Sequence, residues 1–205
     1  MKNYFPIMLD LSGTPVWCVG GGEMAAAKVG PMIDAGAQVT LISPEVHELL
    51  QERVAEIIPR EYQTGDIKPS NQPALVVAAS DVREVNAQVK ADADALGLWC
   101  LRIDQAGDMS LPARVPVDDL TVAVATGVPA LTARLSAHLA HDIDPKWAEA
   151  AEVLRELRRD VDVRKALSAL PQSERAANWR LTVDAALDGE NDRFALLRIL
   201  TGLEY

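Results

Sequence analysis

Cysteine is scarce in this chain, positive charge is outnumbered, and no apolar run is long. There are two cysteines, Cys18 and Cys100, in 205 residues, each inside a short apolar run, VWCVG and LWCLRI. That usage supplies no disulfide framework and fits buried structural thiols on neighbouring strands in a reducing compartment. Thirty acidic residues face 20 lysines and arginines, giving a net charge of −10. No lysine- or arginine-dense arm offsets that balance, so nucleic acid and anionic membranes are poor partners. No apolar stretch reaches the ~18 residues a membrane helix needs, and no basic segment precedes a hydrophobic one at the start. A cytoplasmic protein with no membrane partner is expected. Low-complexity tracts and internal repeats are also missing.

What is present is ordinary globular composition, 49% hydrophobic and 24% charged. A chain of this size buries roughly 70% of its unfolded surface and needs no covalent staple. The first hundred residues alternate short apolar strands with helical stretches. After an extended opener (Tyr4–Asp10) and a Ser12-Gly13-Thr14-Pro15 turn, strands are expected at Val16–Gly20, Gln38–Ser43, Ile57–Tyr62, Ala74–Ser80 and Leu98–Asp104. Helices are expected at Glu23–Ala35, with a kink or early break at Gly30-Pro31, at Pro44–Ala55 and at Glu84–Leu96. Strands separated by crossover helices predict an α/β fold, a Rossmann-type doubly wound parallel sheet.

The pattern changes near Pro112. One more strand, Thr121–Thr126, precedes a long helix from about Ala130 to His141, and the chain is helical and charged from Asp144 on, with breaks at Leu170-Pro171 and Asp188-Gly189. Three regions follow: a sheet domain over 1–112, a strand–helix connector over 113–143, and a small helical domain over 144–205.

The chemistry-bearing signal is Gly20-x-Gly22-x-x-Ala25, directly after the first strand and opening a helix. Gly20 lets the chain turn off the strand, Gly22 lets backbone approach a diphosphate, and Ala25 lets helix and sheet pack closely. The helix N-terminus adds N–H donors and partial positive charge. Dinucleotide binding by the turn Gly20, Gly21, Gly22 is expected. The acidic residue that usually ends the second strand is replaced by Ser43 and Pro44, with Glu45 one residue later. Glu45 suits either a ribose hydroxyl or the first turn of a helix. No arginine lies within 41–50 to hold a 2′-phosphate, so NAD is favoured over NADP.

Asp104 stands at the carboxyl end of a strand, where open α/β sheets place their ligands. It reads either as a cleft carboxylate, its pKa raised by partial desolvation, or as a turn aspartate bonding its own backbone. His138 and His141 are spaced for one helix face, but a pair favourable to the helix C-terminus explains them better than a metal site. The run RELRRDVDVRK (155–165) reads as a solvated, ion-paired helix or as a source of anion-binding arginines.

The series YFPIMLDLSG, VGGGEMAAAKV, AGAQVTLISPE, LVVAASDVREVN and WCLRIDQAG resembles the N-terminal module of the siroheme-synthase family, over roughly residues 4–140. The resemblance implies NAD-dependent oxidation of precorrin-2 to sirohydrochlorin, in some members with Fe²⁺ insertion. It also implies a homodimer joined through the connector, with the helical domains closing over the tetrapyrrole. A non-catalytic NAD-sensing module is the alternative of another class. By the same resemblance, dinucleotide contacts fall on Glu23, Met24, Pro44, Glu45, Ala79 and Ser80, and the catalytic aspartate on Asp104. Arg114 and Arg134, bordering the expected cleft, are candidates to hold substrate carboxylates. Thr126 stands where the family often has a serine that influences metal insertion, and Leu101 where it usually has asparagine. No resident metal is expected.

Overall fold

The computed structural model describes residues 4–68, 70, 72–118 and 120–202. The chain divides into two compact units, Met1–Leu111 and Pro112–Tyr205. In the first, β1 (Pro15–Val19), β2 (Gln38–Ile42), β3 (Glu56–Ile58), β4 (Leu75–Ala78) and β5 (Trp99–Arg102) form one parallel sheet in the order β3-β2-β1-β4-β5. The chain builds outward from β1 to β3, then returns to lay β4 on the other side of β1. The carboxyl ends of β1 and β4 therefore flank the point where the winding reverses, which is where open α/β sheets bind ligands.

Alternation along each strand serves both faces. Val16, Cys18, Val39, Leu41 and Val77 pack on one side with Ala25, Val29 and Met32 of α1 (Glu23–Asp34). Trp17, Val19, Ile42, Val76 and Cys100 pack on the other with Val89 and Ala93 of α3 (Arg83–Ala95). Strands buried on both faces read as near-continuous apolar runs, which is why they are visible in the sequence. Burial of each such side chain contributes about 1.5–3 kcal/mol.

Helix α1 runs unbroken through Gly30-Pro31, where a kink or break was expected. Pro31 lies on the solvent side while its neighbours Val29 and Met32 are buried, so core packing carries the helix past the missing N–H. The helix expected over Pro44–Ala55 contracts to α2 (Glu48–Gln51). Residues 43–47 instead bond to the neighbouring glycine turn and to one another: His47 N–H donates to the Gly21 carbonyl at 2.7 Å, and Ser43 Oγ donates to the Glu45 carbonyl at 2.6 Å. The His47 ring caps α2, its Nδ1 accepting from Leu49 N–H. Beyond β5, Asp108 N–H donates to the Cys100 carbonyl at 2.9 Å and the Asp108 carboxylate accepts from Cys100 N–H at 3.1 Å, which closes the outer sheet edge.

The second unit opens with an antiparallel pair, β6 (Ala113–Val117) and β7 (Leu120–Val124). Val115, Val117 and Val124 face α4 (Pro129–Asp142), packed with Leu135 and Leu139. Four helices follow: α5 (Lys146–Arg159), α6 (Val161–Ser168), α7 (Gln172–Leu187) and α8 (Arg193–Thr201). Their core is Leu157, Val163, Leu167, Ala186, Leu196 and Leu200. The charged run at 155–165 is broken at Asp160, whose carboxylate caps α6 by accepting from Asp162 and Val163 N–H and also pairs with Arg193. Among the described residues no helix is long and apolar enough to cross a membrane.

Candidate functional site

Three loops converge at the carboxyl edge of the sheet. The first is the glycine turn. Gly20 has φ +103°, and a Cβ there would lie 2.3 Å from the Ala79 carbonyl oxygen of the loop after β4. A Cβ on Gly21 would lie 2.2 Å from the Glu45 carbonyl oxygen of the loop after β2. These two glycines are demanded by packing within the protein. Gly22 differs, because a Cβ there would meet no protein atom within 4 Å.

Gly22 is the N-cap of α1 and supplies no side-chain cap, so the first-turn N–H groups around Glu23 and Met24 have no capping partner. Both side chains are exposed, Met24 at 48%. Backbone donors, a helix N-terminus and open space beside a glycine suit a diphosphate. On that observation the turn fits a dinucleotide.

Pro44 and Glu45 are exposed beside this turn. Because α2 starts after His47, Glu45 is not in the first turn of a helix; that alternative for its carboxylate falls away. On the other flank, Ala79 is buried and Ser80 half-buried, and their loop is clamped by Asn86. The fully buried Asn86 amide accepts from Ser80 N–H at 2.9 Å and donates to the Ser80 carbonyl at 2.7 Å. Sequence reasoning missed this positioning role. A lone asparagine in the first turn of an expected helix was its only trace.

Asp104 lies just beyond β5, two strands from β1, or roughly 10 Å by inter-strand spacing. Its surroundings correct the expectation of a raised pKa. Arg102, its side chain 5% exposed, grips the carboxylate in a fork, Nε to Oδ1 at 3.0 Å and Nη2 to Oδ2 at 2.6 Å. The Arg83 guanidinium stands 3.8 Å away. Hydrogen bonding to Arg102 outweighs partial burial and holds the Asp104 carboxyl below the usual carboxylate range. Arg102 is thereby committed to Asp104. Its position immediately inside the strand end, two residues before the carboxylate, was the available signal.

Arg114, Thr126 and Arg134 belong to the second unit. Arg114 and Arg134 are exposed, on β6 and α4. The Thr126 hydroxyl closes the turn before α4, donating to the Val128 carbonyl at 2.9 Å and lying 2.7 Å from Thr132 Oγ1. His138 and His141 each lie against the Asp142 carboxylate, at 3.3 and 3.0 Å. Among the described residues no group of three or more histidine, cysteine or acidic side chains is arranged to hold a metal. Burial pushes the Cys18 thiol up to about 12 and the Cys100 thiol up to about 11.

Comparison with known proteins agrees with the turn. Residues 7–113 match the family model described as "Putative NAD(P)-binding". Siroheme synthase from Tolumonas auensis is 35% identical over 129 residues, covering 61% of this chain and 27% of that protein. Siroheme synthase from Pseudomonas paraeruginosa is 32% identical over 169 residues, covering 78% of this chain and 35% of that protein. The chain thus spans about a third of the length of these curated relatives. A solved structure titled "SirC, precorrin-2 dehydrogenase" shares the fold, with TM-score 0.75 and 22% identity over 98% of this chain and 100% of that one. With more than half its length matched by the model, the chain belongs to this NAD(P)-binding family.

Proposed function

We infer that this chain is an NAD-dependent dehydrogenase that oxidises precorrin-2 to sirohydrochlorin. The observation that carries the cofactor half is the open space at Gly22 beside an uncapped helix N-terminus. The substrate half is supported by the names of the relatives, siroheme synthases and a precorrin-2 dehydrogenase. NAD is preferred to NADP because the loop after β2 offers Glu45 and no arginine.

When bound, NAD⁺ accepts a hydride from a saturated carbon of the reduced tetrapyrrole. The chain's own residues do the rest. The N–H groups of the glycine turn and the start of α1 hold the diphosphate, and Glu45 accepts from a ribose hydroxyl. Asn86 fixes the loop carrying Ala79 and Ser80, which would border the bound cofactor. Loss of a hydride leaves the substrate one positive charge richer, and a proton must follow to complete removal of two hydrogens. Asp104, kept ionised by Arg102, stabilises that charge and takes the proton.

Arg114 and Arg134 are proposed to meet substrate carboxylates, and Thr126 to contact the same substrate. A homodimer is proposed through the β6–β7 segment. A two-stranded sheet is marginal by itself, and an additional partner would cover its edges. The cytoplasm is the proposed compartment, in keeping with two buried free thiols.

The test is turnover of precorrin-2 by the purified chain with NAD⁺, beside Asp104→Asn. Wild type converts substrate, while the variant keeps NAD⁺ affinity and loses about 10²–10⁴-fold in rate. Undiminished turnover in the variant would remove Asp104 from the reaction. A wild-type chain that binds NAD⁺ but never turns over would refute the dehydrogenase reading.

A further inference from the structure

The helical unit contains a surface cavity of about 830 Å³ that the proposed reaction does not use. Arg155, Arg158, Arg164 and Arg175 line it, over an apolar floor that includes Trp179 and Leu167. The chain carries thirty acidic residues, yet none of the described residues lining this cavity is acidic. Among the described residues no ion pair or side-chain hydrogen bond engages the guanidinium groups of Arg158, Arg164 or Arg175.

Arg158 has an ordinary explanation, since it sits in the last turn of α5, where a cation suits the helix dipole. Arg175 has none. It is the fourth residue of α7, near the helix end where positive charge is disfavoured. Its Nε is buried with no hydrogen-bond partner, a cost that native proteins seldom leave unmet. An anion at the guanidinium cluster would offset the dipole and like-charge penalties together.

We propose that this cavity binds an organic anion carrying at least two carboxylates on a flat apolar frame. Guanidinium forks match carboxylates bidentately, and the indole and aliphatic floor suits a planar ring. The volume lies within the range of organic-ligand pockets and far exceeds what one inorganic anion fills. The inference stands apart from the dehydrogenase reading, because binding is measured without NAD⁺ or turnover.

Calorimetric titration of the full chain with benzenehexacarboxylate, and separately with inorganic phosphate, tests it at physiological ionic strength, where diffuse surface attraction is screened. The hexacarboxylate binds one-to-one and phosphate much more weakly. Arg164→Gln and Arg175→Met each weaken binding about tenfold or more, as loss of a charge-assisted pair should. Arg180→Gln, on the exposed surface of α7 outside the lining, leaves it unchanged. Arg175→Met also raises the melting temperature of the ligand-free protein, because it removes an unsatisfied buried donor. No binding of the hexacarboxylate, equal affinity for phosphate, equal weakening by Arg180→Gln, or a lowered melting temperature in Arg175→Met would each overturn the assignment.

Discussion

Gly20 and Gly22 flank one turn, yet alanine at each should fail in a different way. At Gly20 the backbone has φ +103°, which costs an L-residue about 1–3 kcal/mol. The new methyl would also lie 2.3 Å from the Ala79 carbonyl oxygen, so the loop after β4 must move, at about 1–3 kcal/mol more. At about 2–4 °C per kcal/mol for a chain of this size, Gly20→Ala should melt roughly 5–20 °C below wild type. At Gly22 φ is −78° and the methyl meets nothing. Only the weaker N-cap preference of alanine is lost, about 0.5–1 kcal/mol, or a few degrees. The cost of Gly22→Ala falls on the ligand. A methyl where the diphosphate approaches carries an overpacking penalty of about 1–3 kcal/mol, which raises the NAD⁺ Kd about 5- to 150-fold. Scanning calorimetry and NAD⁺ titration on both variants separate the two effects. Unchanged NAD⁺ affinity in a well-folded Gly22→Ala protein would refute the reasoning.

The Arg102–Asp104 fork has a pH signature. Because Asp104 titrates below its unfolded range, its stabilising contribution is present above that range and is lost as pH falls through the folded value. The proton-accepting form therefore persists into acid, and Arg102→Met should shift the acid limb of the pH–rate profile upward; an unmoved limb contradicts the pairing. Asn86→Ala leaves Ser80 N–H and C=O without their partner and should cost about 2–4 kcal/mol in urea denaturation, with weakened NAD⁺ binding. The two thiols, raised to about 12 and about 11 by burial, should resist iodoacetamide in the native protein and react in denaturant. Prompt native labelling would show that the sheet opens easily.

Legibility in the sequence follows from how each feature is encoded. Strands buried on two faces announce themselves as apolar runs, and the glycine turn sits where a strand meets a helix, so the doubly wound sheet and its binding edge can be read directly. Strand β6 is not legible in the same way: ARVPV contains Pro116 and Arg114 on its exposed face, which mimic a loop, and its pairing with β7 is not announced by any turn motif. The break at Asp160 hides in a charged stretch whose periodicity is helical on both sides. At the site, the roles of Gly21 and Asn86 depend on other loops, the first on residue 45 and the second on residue 80, and no spacing rule reports them. The Asp104 environment escapes the sequence for a related reason. Partial burial alone raises a carboxyl, and only the folded chain brings the buried Arg102 back onto it.

Whether the uncapped start of α1 grips the cofactor's diphosphate is best read from the backbone itself. Amide resonances of Gly22, Glu23 and Met24 should move strongly when NAD⁺ is added and stay in place with adenosine, which has no phosphate. Shifts confined to other loops, or identical shifts with adenosine, would contradict the account.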